Sequence, residues 1–219
     1  MTTSAIKAVT FDLDGVIVNT EDIFHLTGTE LLRRRGKTPT KELFHAMMGR
    51  RAHESFQNMI DLMELTESID ELAAESGEIF DSFLNEHLDM MPGFLDLLAI
   101  IDEKQLPRAV ATSSDRAYVH RILGKFDLLD RFDFFLTAED VTHGKPNPEI
   151  YLKAAEKLGV QASEMLVFED SENGTRAAAA AGAHIISVPH QHSAHHDFSV
   201  AKAIAVGLHD PVIRELLLN

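Results

Sequence analysis

Two aspartates, Asp12 and Asp14, stand one residue apart in Phe11-Asp12-Leu13-Asp14-Gly15-Val16, where the apolar run from Ala5 to Phe11 turns polar. Alternate side chains of a strand point to the same face, so both carboxylates project together from the strand's C-terminal end. Carboxylates crowded in this way repel and call for a counter-ion. A hard divalent cation such as Mg2+ suits them, because it takes few carboxylates and keeps positions for water and phosphate oxygens. Gly15 lets the chain turn away tightly. The same Asp-x-Asp-Gly string also arises as plain turn chemistry, so the rest of the chain must decide.

The elements that would position this pair are legible as short apolar runs: 8–11, 109–112, 134–137, 166–168 and 184–188. Between the later runs lie helical patterns at 118–126, 149–158 and 175–181, each long enough for a right-handed crossover. These features predict an α/β fold with a doubly wound parallel sheet. Roughly ninety residues separate the first run from the second, where a crossover needs only a dozen or so. Residues 18–91 therefore read as an inserted small α-helical cap domain, and 1–17 with 92–219 as the catalytic core. Leu26, Leu31 and Leu32 mark one helix face of the insertion, Phe56, Met59, Ile60 and Met63 a second, and Leu72, Ile79, Phe80, Phe83 and Leu84 a third. Ligands in open α/β sheets bind beyond the carboxyl ends of the strands, where Asp12 and Asp14 project.

Three further strings fall at strand ends or in loops of that reading: Thr112-Ser113-Ser114, Gly144-Lys145-Pro146-Asn147-Pro148 and Phe168-Glu169-Asp170-Ser171. Together with the aspartate pair, in this order and spacing, they make the chain resemble the haloacid dehalogenase-like hydrolase superfamily along essentially its whole length. The resemblance is to the helical-cap branch, near β-phosphoglucomutase and phosphoglycolate phosphatase. It implies that Asp12 is a nucleophile forming an aspartyl-phosphate and that Asp14 first protonates the leaving oxygen and then deprotonates the attacking water. Mg2+ would be held by Asp12, the Asp14 backbone carbonyl, Glu169 and Asp170, with Asp170 the firmer of the last two. Thr112 and the backbone N-H groups near Ser113 and Ser114 would bind the phosphoryl group, and Lys145 would neutralise it. Plainer roles stand beside these: acids and Ser171 at a helix N-terminus, Asp115 as a helix cap, and a solvated lysine in a proline-rich loop.

In the insertion, Met48-Gly49-Arg50-Arg51-Ala52-His53 joins two helical patterns, and family caps present a specificity loop near such a glycine. Arg50 or Arg51 could bind a second anionic group, or both could be solvated. Thr20 could face the cleft, whereas Glu21 reads as part of a helix N-terminus. Phe24, Ala52 and Asp115 stand where the mutase pattern leads one to expect a cap histidine, a basic residue and a lysine. Phosphomonoester hydrolysis of a small phosphorylated metabolite, such as a sugar phosphate, is therefore favoured over phosphomutase chemistry. Asp14 and the Glu169-Asp170 pair argue against halide displacement. Lys37 and Lys41 lack the setting that imine-forming phosphonate cleavage requires. A non-catalytic binding protein on the same fold would have little use for all these groups together. His190, His192, His195 and His196 read as a solvated loop able to pick up zinc or nickel.

The net charge of −15, from 35 acidic and 20 basic residues, disfavours nucleic acid and anionic membrane surfaces as partners. The absence of cysteine excludes disulfides and thiolate chemistry and fits a reducing compartment. With no apolar stretch of spanning length and no leader pattern at the start, the expectation is a cytoplasmic monomer or weak homodimer.

Overall fold

A computed structural model describes residues 5–48 and 50–218. Strands form at the apolar runs: β1 at Ala8–Phe11, β2 at Arg108–Ala111, β3 at Phe134–Leu136, β4 at Met165–Glu169 and β5 at His184–Ser187. A two-residue strand, β6 at Ala203–Ile204, which the sequence reading does not include, adds to the edge. All pairings are parallel, in the order β3-β2-β1-β4-β5-β6. The order reverses at β1, which lies between β2 and β4, and its carboxyl end is therefore the switch point where a crevice opens.

Period-two alternation assigns the sheet's two faces. Val9 and Phe11 of β1 join Leu166 and Phe168 of β4 in one cluster, while Met165 and Val167 belong to the other. The first face is covered by α5 (Phe94–Glu103), α6 (Arg116–Gly124) and α9 (Pro211–Leu218), and the second by α7 (Glu149–Leu158) and α8 (Glu172–Ala181). Phe11 stacks on Phe168 with ring centroids 5.1 Å apart and meets Phe94 edge-on at 5.6 Å. This aromatic layer lies directly beneath the strand end that carries Asp12.

Between β1 and α5 the chain forms α1 (Thr20–Arg33), α2 (Lys41–Met47), α3 (Ala52–Met63) and α4 (Ile69–His87). Ser68 and Glu71 close a reciprocal capping box at the start of α4. Leu31, Leu32, Leu43, Met59, Leu72 and Ile79 form a cluster of their own, and Ile23, Phe80 and Leu84 pack onto the core cluster instead. One expected face needs correction: Leu26 is 39 % exposed, because α1 buries Ile23, Thr27, Gly28, Leu31 and Leu32. The flanking linkers run side by side. Asn19 N-H donates to Asp89 O at 3.0 Å, Asp89 N-H returns to Asn19 Oδ1 at 2.7 Å, and Met91 N-H donates to Ile17 O at 2.9 Å. Among the described residues no helix is long and apolar enough to cross a membrane.

Candidate active site

Asp12 continues the line of β1, its N-H bonded to Phe168 O at 3.0 Å. Lys145 reaches it from the loop before α7, its Nζ 2.6 Å from Asp12 Oδ1, 2.5 Å from Glu169 Oε1 and 3.0 Å from Ala111 O. Asp12, Lys145, Glu169 and Asp170 are all buried. Glu169 is held on both oxygens. Its Oε1 also accepts from Tyr151 Oη at 2.5 Å, and its Oε2 accepts from Ser171 Oγ at 3.1 Å and from the N-H groups of Asp170 and Ser171. A Cβ on Gly174 would stand 1.9 Å from Glu169 Oε1, so only glycine leaves room there for that carboxylate.

Burial pushes the Asp12 carboxyl well above the usual carboxylate range; Lys145 pulls it down, and Glu169, Asp170 and Asp14 push it further up. Burial raises Asp170 as well, against the pull of His190. Burial also works against the Lys145 ammonium, but Asp12 and Glu169 more than offset it and hold its pKa well above that of an ordinary lysine. One ammonium thus faces three buried carboxylates. Asp12, Glu169 and Asp170 offer oxygens within 4.8 Å of one another, a hard donor set short of positive charge, which fits a divalent cation such as Mg2+. Asp170 lines the cleft, whereas Glu169 lies beneath it with both oxygens engaged. Gly15, at φ +76°, allows the turn after Asp14, and a Cβ there would come within 2.5 Å of Asp170 Oδ2.

Asp14 is gripped by three hydroxyls. Thr20 donates to its Oδ1 at 2.5 Å, Tyr118 to the same oxygen at 2.7 Å and Ser114 to Oδ2 at 2.9 Å. Burial and the neighbouring Asp14 raise the Tyr118 pKa well above its ordinary value, so the phenol stays a donor. Thr112 directly follows β2, is buried, and accepts Ser114 N-H on its hydroxyl at 3.1 Å. The loop then enters α6, where Asp115 caps Tyr118 N-H at 2.7 Å.

The residues singled out from the sequence fall into two groups. Asp12, Asp14, Thr112, Ser113, Ser114, Lys145 and Asp170 line one cleft with Glu169 under its floor, while Thr20 and Ser114 turn their hydroxyls to Asp14. Arg50 lines the same cleft, 3.6 Å from Glu54. Arg51 does so too, but its Nη atoms donate to the carbonyls of Ala138, Val141 and Thr142 at 3.1, 2.8 and 3.4 Å, tying α3 to the far side of the cleft. Gly49, the glycine of the expected specificity loop, lies outside the described residues. Glu21 sits in the first turn of α1, as read from the sequence, and it also lines the cleft, where burial followed by the charges of Asp170 and Asp14 pushes its carboxyl well up.

A family model, that of the haloacid dehalogenase-like hydrolases, matches residues 9–188. The chain belongs to this family. It is 32 % identical to a phosphorylated carbohydrates phosphatase of Thermotoga maritima over 176 residues, 80 % of this chain and 82 % of the relative. It is 31 % identical to a fructose-1-phosphate phosphatase of Escherichia coli over 178 residues, 81 % and 94 % of the two chains. Among solved structures it resembles CbbY from Rhodobacter sphaeroides in complex with phosphate, with a TM-score of 0.80 at 25 % identity over 93 % and 95 % of the chains. As a haloacid dehalogenase-like hydrolase, the protein is an enzyme.

In this hydrolase the loop after β5 is not simply solvated. His190 Nε2 stands 2.8 Å from Asp170 Oδ2, and His192 Nε2 stands 2.8 Å from Asp22 Oδ1 of α1. His195 and His196 meet His45 of α2, with ring centroids 5.0 and 4.6 Å away. Tyr118 and Tyr151 sit inside helices with no local mark of their contacts. The placement of His190 had a signal, since it follows a strand whose end opens on the crevice.

Burial and the adjacent His45 and His195 lower the His196 pKa to about 4, while its Nδ1 accepts Glu172 N-H at 3.2 Å. Unfolded, the same ring titrates near 6.5. Between those values the unfolded chain binds the extra proton, so this contribution is whole above pH 6.5 and is lost as pH falls towards 4, on the order of 1–3 kcal/mol. Urea midpoints measured from pH 7 to 4.5 should fall more steeply for wild type than for His196→Gln; parallel slopes would assign the acid sensitivity elsewhere.

Proposed function

We propose that the protein is a Mg2+-dependent phosphomonoester hydrolase acting on a small phosphorylated metabolite, sugar phosphates included, through an aspartyl-phosphate on Asp12. The observation that carries this reading is the Lys145 ammonium wedged between Asp12 and Glu169 at the switch point of the sheet. The inserted helices, 18–91 in the sequence reading, would be the cap over the core formed by 1–17 and 92–219. The named phosphatases among the relatives support the reaction class.

Asp12 would attack phosphorus in line while Lys145 screens the approach of one anion to another. The Thr112 hydroxyl and the backbone N-H groups of Ser113 and Ser114, at the entrance to α6, would hold the phosphoryl oxygens. Asp14 would give its proton to the leaving oxygen and then take one from the water that opens the acyl-phosphate. Mg2+, held by Asp12, Asp170 and the Asp14 carbonyl, with Glu169 engaged beneath them, would supply positive charge to the phosphoryl oxygens when bound. Hydrolysis is favoured over mutase chemistry because most of the basic groups near the cleft are engaged, Arg50 keeping only a 3.6 Å contact with Glu54. Arg116 pairs with Asp140 at 2.7 Å, Arg121 with Asp81 at 2.6 Å, and Arg51 holds carbonyls. Cytoplasmic residence, as a monomer or weak homodimer, is proposed on composition alone.

The test is phosphate release from a panel of small monophosphates with Mg2+ or EDTA. Release should fall at least about a hundredfold in EDTA and return with Mg2+. Isomerisation of a sugar phosphate without net release would replace this reading with the mutase.

A further inference from the structure

The cleft above Asp12 encloses about 510 Å3, within the ordinary size of a small-molecule site, and its wall on the side of the inserted helices is mostly carbon. Phe24, Phe44, Phe56 and Phe80 line it together with Met47 and Met59. Phe24 is 40 % exposed, an aromatic face open to the cleft, and it stacks on Phe80 at 4.9 Å and on Tyr118 at 6.1 Å. His25 lies flat against Phe44 at 4.0 Å.

Several of the polar groups on that wall are engaged with the protein, and Glu21, Arg50 and Ser76 also line the cleft. Ser55 donates to Met47 O at 2.9 Å, Arg121 is paired with Asp81, and Arg51 is spent on carbonyls. Thr27 differs. Its neighbour in α1, Thr29, donates to His25 O at 2.7 Å, but the Thr27 hydroxyl is buried without a partner and borders the cleft. Gly77, exposed in α4, leaves open space on the same wall. Glycine weakens a helix interior, and this one lies in the middle of α4, where an added Cβ would meet nothing within 4 Å on a surface that lines the cleft.

A polyol lying against the rings of this wall would leave the hydroxyls that face them without partners, at a cost in affinity for each. A flat ring would exchange water for aromatic and thioether contacts. We propose that the substrate is a phosphate monoester whose alcohol carries an aromatic ring, seated against Phe24 and Phe44, with the Thr27 hydroxyl left for a polar group on the ring. The inference rests on the phosphatase reading for its reaction and names the substrate class of the same site.

Benzyl phosphate and glycerol 1-phosphate, both esters of primary alcohols, are the probes. Binding is measured by calorimetry with Mg2+ on Asp12→Asn, where turnover cannot intrude, and phosphate release from the same two esters is measured on wild type. Benzyl phosphate should bind about tenfold or more tightly than glycerol 1-phosphate, and Gly77→Leu in the Asp12→Asn background should erase most of that ratio. Equal or tighter binding of glycerol 1-phosphate overturns the inference, as does a ratio untouched by Gly77→Leu. Preferential binding of benzyl phosphate with no phosphate released from either ester upholds the ring site and removes the hydrolase reading beneath it.

Discussion

Asp12→Asn should abolish metal-dependent phosphate release, lowering kcat at least about ten-thousand-fold, and should do so without unfolding the protein. The amide keeps an oxygen to accept from Lys145, which now stands 2.6 Å from the Asp12 carboxylate, but it cannot form an acyl-phosphate. Burial and three neighbouring carboxylates oppose the charge on Asp12. A neutral isostere relieves that opposition, so in EDTA at pH 7 the melting temperature should match or exceed that of wild type. Phosphate assays and thermal melts on the same preparation check both halves. Retained turnover would remove Asp12 as the nucleophile, and a large drop in melting temperature would show that the lost activity reflects a damaged fold.

Lys145→Met should have the opposite signature in stability. The ammonium is buried, with Asp12 Oδ1 at 2.6 Å, Glu169 Oε1 at 2.5 Å and Ala111 O at 3.0 Å. Methionine fills similar volume and donates nothing, leaving two carboxylates facing each other in a dry site. Removing one partner from such a buried cluster costs about 3–5 kcal/mol. Urea denaturation in EDTA should show a loss of this size at pH 7, and adding Glu169→Gln should recover part of it, because the two positions share one interaction. Turnover with Mg2+ should fall at least about a thousandfold, since the charge meant for the phosphoryl group is gone. A Lys145→Met protein as stable as wild type would mean that the ammonium is not what balances Asp12 and Glu169.

The sequence exposed the parts of the site that follow strands. Asp12, Thr112 and Asp170 come at or just past the ends of apolar runs, and parallel topology carries such ends to one edge. Lys145 was marked by its place between Gly144 and Pro146 in a loop, and its agreement with the other strings gave it meaning. Contacts made from helix interiors were hidden. Tyr118 and Tyr151 look like ordinary core aromatics until tertiary packing brings their hydroxyls to Asp14 and Glu169. Arg51 looked like a free cation, because nothing local foretold that the Ala138–Thr142 turn would present its carbonyls to it. β6 escaped notice, although 203–206 is apolar, because no helical pattern of crossover length separates it from the run at 184–188, and Leu26 misled because leucine spacing was read without the Gly28 surface that α1 buries beside it.

Arg51 also determines what parting the inserted helices from the sheet would demand. Its bonds end on neutral backbone oxygens of Ala138, Val141 and Thr142, so this join has no acid to titrate. Parting the two sides returns one cation and three carbonyls to the solvent together, and each vacated contact has to be filled by a water molecule. This contact competes with hydration alone, unlike the Arg121–Asp81 and His192–Asp22 pairs that also join the inserted helices to the core. An excluded osmolyte such as sucrose, which favours arrangements that hide surface from solvent, would strengthen this contact where a change of pH would leave it untouched.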